Sequence, residues 1–328
     1  MKLHPLALAI VLLSPATLAA TDNNNDTLQA PALVITSGRK AEPKAQATAA
    51  TSVFTRKDIE RLQVRNVDEL LTRVPGVSVT RNGGPGSLTG VFMRGTSSAQ
   101  SLVLVDGQRI AAASSGTSSL EFLSIDQIER IEVVRGSRSS LYGSDAIGGV
   151  IQIFTRSGSN TPAQPYMRLA AGSHSTYERT LGVSGGDAQT RYNLGGTLNE
   201  SQGIDNTGGS LGQNSDNDAL RNRALSMNVS HQFNDQLEAG ISALDQRGKT
   251  EFDDIGSGTR PYDKFQLSSA SAFASNQFNE NWLSRVDIGH SEDKRDTKND
   301  DAGGWLYTYN TYHNSANWLN TLQVDSAN

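Results

Sequence analysis

From Tyr166 to Val324 the chain repeats one pattern: segments of about ten residues in which apolar and polar side chains alternate. In TYERTLGVSGG, Tyr177, Leu181 and Val183 share one face, and Glu178, Thr180 and Ser184 share the other. In RYNLGGTLNE, Tyr192, Leu194 and Leu198 oppose Asn193, Thr197 and Asn199. In RALSMNVSHQF, Leu225, Met227, Val229 and Phe233 oppose Ser226, Asn228, Ser230 and Gln232. A period of two belongs to strands with unlike faces. Connections alternate between short (Gly185–Gln189, Asn234–Gln236, Asn279–Asn281) and long (Gln202–Ala219, Gly248–Lys264, Lys294–Gly304). This predicts an antiparallel transmembrane β-barrel over 161–328, with short turns on one side and long loops on the other. A soluble β-sandwich shares the alternation. The Ser, Gly and Asn on the second face favour a wide, wettable interior over a dry sandwich core.

About eight strands are expected before the chain ends. An eight-stranded barrel encloses little more than its own side chains, and a barrel must close. The reading is therefore the N-terminal part of a larger, truncated barrel.

The N-terminus, MKLHPLALAIVLLSPATLAA, has one Lys, an apolar run and small closing residues, as a signal peptide over 1–20 does. Residues 21–50 are polar and read as an arm. Within it PALVITSGR holds β-prone Leu33, Val34 and Ile35. Such a segment either adds to a partner's sheet edge or opens the next domain. Residues 51–160 mix strands and short helices, an α+β domain. Thr55 is positioned to cap the helix TRKDIERL, with Asp58 in its first turn. Asn66 precedes NVDELLTRVPG, where Val67, Leu70, Leu71 and Val74 share a face.

Enzyme chemistry has little support. The chain has no cysteine, which excludes thiolate sites and disulfides. Its five histidines, His4, His174, His231, His290 and His313, are scattered without metal spacing, and GxSxG is missing. A net charge of −5 argues against nucleic acid as a partner. The stretch RGSRSSLYGSDAIGGVIQIF, Arg135–Phe154, looks like a phosphate cradle but lacks GxxxxGK[ST] and GxGxxG. Its glycines suit tight turns and close backbone approach. The aromatics around Trp282, Trp305 and Trp318 read as an interfacial belt.

RVPGVSV (Arg73–Val79), FMRG (Phe92–Gly95), LVLVDGQR (Leu102–Arg109) and IERIEVVRGSRSSLYGSDAIGGVIQIFT (Ile128–Thr155) resemble the plug domain of TonB-dependent outer-membrane receptors. In that family a plug sits inside a 22-stranded barrel. NGGPGSLTGVFMRGTSS, YGSDAIGG, GIDNTGG, DNDAL and TEFDDIGSGTRPYDK are most similar to the cobalamin transporters of the family. The resemblance implies a monomer in the outer membrane, contacting its lipid, with TonB and cobalamin as partners. It also implies that Arg135 and Arg138 pair with carboxylates of the barrel wall.

Further residue roles follow from the resemblance alone. It implies calcium at Asp205, Asn214, Asp216, Asp218, Asp253 and Asp263, in two long acidic loops. Calcium takes six to eight oxygen ligands. DND read by itself is more simply a solvated acidic loop. The first loop is shorter than in that family, and Phe252 stands where a Tyr is usual. Substrate contacts are implied at Leu88, Gly90, Ser97, Ser115 and Asp254, and a TonB box at Ala32, Leu33, Val34, Ile35, Thr36 and Ser37. The expected function is TonB-dependent cobalamin uptake. A ferric siderophore or haem receptor of the same architecture is the alternative. A passive porin, and a secreted β-rich enzyme or adhesin, stand further off.

Overall fold

The computed structural model describes residues 33–34, 42–43, 45, 47, 49–206, 216–253, 259–299, 301 and 304–323. The signal segment lies outside these, as do Ala32, Ile35, Thr36, Ser37, Asn214 and Asp254.

Two short strands open the described chain: β1 (Leu33–Val34) pairs antiparallel with β2 (Glu42–Pro43) in a sheet of their own. β3 (Ala50–Thr55) runs directly into α1 (Arg56–Leu62). Thr55 caps that helix as expected. Its hydroxyl accepts from the Asp58 N–H, and the Asp58 carboxylate accepts from the Thr55 N–H at 3.0 Å. α2 (Val67–Leu71) is little more than a single helical turn, and it buries Val67, Leu70 and Leu71 completely. β4 (Val77–Arg81) and β5 (Thr89–Met93) form a separate hairpin.

The main sheet of this domain is built from β3, β6 (Ser101–Val105), β7 (Gln108–Arg109), β8 (Ile128–Arg135) and β9 (Gly149–Thr155). Its order is β3-β8-β9-β6-β7, with β6 and β9 parallel and the other neighbours antiparallel. Val103, Val105, Ile131, Val133, Ile151 and Ile153 form the core with α2 beside them. The glycine-rich approach to β9 includes α3 (Ser139–Tyr142) and closes by backbone contact. A Cβ on Gly149, at φ +152°, would overlap the Val134 carbonyl oxygen, and one on Gly148 would overlap the Thr96 hydroxyl. The stretch therefore holds strands together, as its lack of a phosphate motif suggests.

Eight antiparallel strands follow, each hydrogen-bonded to the next in sequence. They are β10 (Gln164–Gly172), β11 (Thr176–Gly186), β12 (Thr190–Ser201), β13 (Leu220–Gln232), β14 (Leu237–Glu251), β15 (Pro261–Asn279), β16 (Trp282–Asn299) and β17 (Gly304–Leu322). The strand number agrees with the sequence reading; the lengths do not. β15 and β17 reach 19 residues, and segments assigned to the long loops, 248–251, 261–264 and 294–299, are strand. Polar ladders extend them: Lys249 and Lys294 each bond a carboxylate two residues away, and Asp263 accepts from Thr297 at 2.5 Å.

The two faces differ as alternation requires. Outward, Met167, Leu181, Leu225 and Trp318 are each more than 60 % exposed. Inward, Thr180, Asn193, Ser226 and Gln246 are at most 2 % exposed, because the small domain lies against them. The contact is mostly polar. Gln127 donates to Thr197 at 2.6 Å and accepts from Ser226. The Asn222 amide donates to the Phe122 carbonyl at 2.7 Å. Leu244, Leu267 and Phe265 add an apolar patch, with Phe122 and Phe265 stacked at 3.5 Å between centroids.

Among the described residues, the expected pairing of Arg135 and Arg138 with wall carboxylates is not found. Arg135 donates to the Ala50 and Pro75 carbonyls inside its own domain. Arg138 makes no ion pair among the described residues, and its Nε is buried without a partner. The polarity of the interface is the reverse of the expected one. The domain supplies carboxylates and the wall supplies arginines: Asp126 takes Arg168 at 3.0 Å, and Glu121 takes Arg295 at 2.6 Å.

Candidate functional site

The apices of the small domain and the acidic loops meet at the long-loop end of the sheet. The turn after β4 carries Gly83, Gly84 and Gly86. Gly83 and Gly84 lie against Asn206 of the first acidic loop, and Gly86 lies against Leu220 and Thr250 at the tops of β13 and β14. The Gly86 contacts leave no room for a Cβ, and the Gly84 contact is tight, so glycine here permits close approach. Leu88, on the same turn, is 45 % exposed. Gly90 sits in β5 opposite Thr80, covered by the Phe92 ring.

A second apex holds Ser97 and Ser115, both exposed. Ser97 caps the short turn Ser98–Gln100. Ser115 shares a 2.6 Å hydrogen bond with Thr117. Gly116 packs on Ala99, which joins the two loops, and the Ala113 N–H donates to Thr311 of β17 at 2.9 Å. Leu88, Gly90, Ser97 and Ser115 thus belong to two neighbouring groups of loops on the small domain.

Of the acidic residues, Asp216, Asp218 and Asp253 are brought together. Asp218 is 3 % exposed, and Asn206 donates to its carboxylate. Burial, helped by the charges of Asp253, Asp216 and Glu251 and opposed by the Asn206 hydrogen bond, pushes Asp218 up to about 6. Both carboxylate oxygens of Asp253, and one of Asp216, are buried without a hydrogen-bond partner. The other Asp216 oxygen lies 4.0 Å from Arg260. Asp205 lies in the same loop beside Asn206. Asp263 is separate: it accepts from Thr297 and faces Arg295 at 3.5 Å. Buried carboxylate oxygens without a hydrogen-bond partner are the donor chemistry of a hard cation. Among the described residues no three acidic or imidazole groups converge at metal-ligand spacing.

Sequence reasoning missed the network around Glu121. This glutamate is buried at the wall, and burial raises it to about 7 despite the neighbouring Arg295. Arg295 also lies over the Phe122 ring at 4.9 Å. Ser119 donates to Asp293 at 2.8 Å. The signal available was Glu121 standing alone among the apolar residues of LEFLSI, Leu120–Ile125. A cavity of about 460 Å³ lies nearby between β6, β7 and the wall, lined by Asp106, Gln108, Arg285, Asp287 and His313 among others.

Residues 43–150 match the family model described as the TonB-dependent Receptor Plug Domain. That match covers about a third of the chain, the small domain, which is therefore similar to the plug of such receptors. The eight-stranded wall around it is likewise similar to solved receptors. The ferric enterobactin receptor PfeA from Pseudomonas aeruginosa (G324V mutant) superposes with a TM-score of 0.66 at 18 % identity, over 87 % of this chain and 47 % of that one. The ferric yersiniabactin uptake receptor FyuA from Yersinia pestis gives 0.66 at 17 %, over 85 % and 46 %. The siderophore receptor PirA from Acinetobacter baumannii gives 0.58 at 22 %, over 81 % and 43 %. The chain thus spans about half the length of these structures, and at such identity the likeness is one of fold. Plug and wall share one arrangement, and neither comparison singles out cobalamin.

Within the arm, Leu33 and Val34 of the expected TonB box are extended and paired with Pro43 and Glu42. They form no part of the five-stranded plug sheet.

Proposed function

We propose that this chain is the plug-bearing part of a TonB-dependent outer-membrane receptor that imports a ferric siderophore. The observation that carries the reading is a matched plug docked, by polar contacts, on the inward face of a membrane-type sheet. The substrate sits over the Leu88–Gly90 and Ser97–Ser115 apices at the long-loop end. Their small residues and backbone groups suit a bulky ligand recognised by shape and hydrogen bonds. TonB engages the arm around Leu33 and Val34 by strand addition. Pull on the arm reaches the plug at β3, next to β8. Opening then requires breaking the Asp126–Arg168 and Glu121–Arg295 pairs and the Gln127 hydrogen bonds. Nothing covalent happens to the substrate. Solved receptors of like fold that are described as siderophore receptors support this substrate class.

A second reading, cobalamin, is favoured by the acidic loops. In it Asp216, Asp218 and Asp253, with Asp205, Asn214 and Asp263 as further donors, hold calcium. Asp254 then contacts substrate. The ion would supply fixed positive charge that orders the two loops over the plug. Asp263 is the weakest member of this set, because Thr297 and Arg295 already occupy it.

Binding of ferric catecholate and phenolate chelates and of cyanocobalamin to the detergent-solubilised protein, with calcium and with chelator, separates the two. Iron-chelate binding indifferent to calcium supports the first reading. Cyanocobalamin binding lost in chelator supports the second. Uptake of either ligand at full rate in cells lacking TonB would overturn both.

A further inference from the structure

The five-stranded sheet of the small domain has two faces, and only one of them belongs to the main core. Val103, Val105, Ile131, Val133, Ile151 and Ile153 turn to that core. Their neighbours along the strands, Leu102, Leu104, Val150, Gln152 and Phe154, turn the other way. Tyr142 and Ala146, from the glycine-rich stretch, pack on Leu102, Leu104 and Val150. The rest of this second face borders the cavity of about 460 Å³ between plug and wall. That volume is in the range of small-molecule sites.

The cavity has apolar side chains on both sides. Leu102, Leu104 and Phe154 belong to the plug, and Phe273 and Leu319 are inward residues of β15 and β17. It also has hydrogen-bonding groups with no partner. Gln152 is 6 % exposed, and among the described residues its amide makes no hydrogen bond. The same holds for the side chains of Asn228 and His313 on the wall. Buried polar groups ordinarily have partners.

The charged groups around the cavity are, by contrast, engaged. Arg285 donates through Nε and Nη2 to Asp287 at 2.8 to 3.1 Å and rests on the Phe273 ring at 3.9 Å. Arg109 pairs with Asp145. Asp106 accepts from the Thr155 N–H at 2.9 Å and from its hydroxyl at 2.6 Å. A guest therefore meets two amides, an imidazole and apolar walls, and finds no free charge to answer. Water satisfies the amides but wets the leucine and phenylalanine side chains, which is unfavourable. A molecule with flat apolar ends and an amide between them satisfies both.

We infer that this cavity binds an uncharged aromatic amide of two-ring size, wedged between plug and wall. The import reading does not use the site. Its substrate sits over the apices at the long-loop end, whereas Phe273, Arg285 and Leu319 lie towards the short turn between β15 and β16. A guest that touches plug and wall at once binds the docked arrangement alone, so its binding opposes release of the plug. The inference rests on the docking of plug on wall and is independent of which substrate is imported.

The probe is 4-hydroxybenzanilide, two rings joined by a neutral amide. Equilibrium dialysis follows its binding to the detergent-solubilised protein, with protein-free micelles as the blank. Binding saturates, and the melting temperature rises as probe is added. The carboxylate analogue, 4-benzamidobenzoate, binds about tenfold more weakly, because a buried charge there has no partner. Gln152→Leu keeps the bulk, removes the amide and lowers probe affinity about tenfold. His313→Phe lowers it about fivefold and serves if Gln152→Leu does not fold. Gln266→Leu, the same change on the outward face of β15, leaves it unchanged. The chain has no cysteine, so Ser242→Cys places a lone thiol at the cavity, and the probe slows its alkylation by N-ethylmaleimide. Uptake no greater than that of empty micelles, equal affinity of wild type and both cavity variants, equal affinity for the carboxylate analogue, or alkylation of that thiol indifferent to probe would each overturn the inference. None of these outcomes touches the import reading, which iron-chelate and cyanocobalamin binding test separately.

Discussion

Glu121 makes the docking of the plug depend on pH in a direction that can be calculated. It sits on the plug, 1 % exposed at its side chain, with Arg295 of the wall 2.6 Å away. Burial outweighs the attraction of Arg295 and lifts the carboxyl from 4.5 to about 7. The docked protein therefore holds the proton more tightly than the unfolded chain. Stability is highest below 4.5, falls as pH rises from there to about 7, and levels off above. A shift of that size corresponds to roughly 3 kcal/mol. In a protein of this length that is about 6 °C in melting temperature. Glu121→Gln keeps the neutral shape and removes the titration. The measurement is scanning calorimetry of both proteins in detergent between pH 5 and pH 8. The two melting temperatures approach each other at pH 5, and the variant is higher by several degrees at pH 8. Parallel profiles, or a wild type that is the more stable at pH 8, would refute the reasoning. Other buried acids, Asp106 among them, titrate in both proteins and cancel in the difference.

On the cobalamin reading, calcium at millimolar concentration raises the melting temperature at pH 7.5, the double variant Asp218→Asn, Asp253→Asn abolishes the rise, and in wild type the effect fades below pH 6 as Asp218 takes up its proton; an unchanged melting temperature counts against that reading. Gly149→Ala, whose Cβ would overlap the Val134 carbonyl at a φ of +152°, destabilises the plug by at least ~2 kcal/mol, read as a lowered urea midpoint. Thr55→Ala removes a capping box and costs about 1 kcal/mol in the same assay, whereas Thr55→Ser leaves the midpoint nearly unchanged.

Much of this architecture is legible in single residues. Leu181 beside Thr180, and Leu225 beside Ser226, announce a sheet with one apolar and one polar face, and both pairs lie as alternation requires. Thr55 and Asp58 announce their helix because capping is local. Strand ends are hidden where Lys249, Asp263 and Lys294 look like loop residues; cross-strand partners hold them in the ladder, and such partners are distant in sequence. For Arg135 the resemblance implies a wall carboxylate, but charge alone does not say whether a guanidinium finds an acid or, as here, two carbonyls. For the same reason, nothing in SLEFLSID names Arg295 as the partner of Glu121, 174 residues away. The meeting of the Gly83–Gly86 turn with Asn206 and Thr250 is likewise a product of docking two domains.

The wall presents mainly amides and hydroxyls to the plug, at Asn193, Thr197, Asn222, Ser226, Gln246 and Thr250. A greasy wall would resist the plug's departure in proportion to the apolar area laid bare, about 25 cal/mol for each Å². Amides and hydroxyls exchange one partner for a water molecule at little net cost. Such a surface behaves like a lubricated bearing: it grips firmly at rest and yields contact by contact under load, and on the import reading it is already wetted for cargo once the plug gives way.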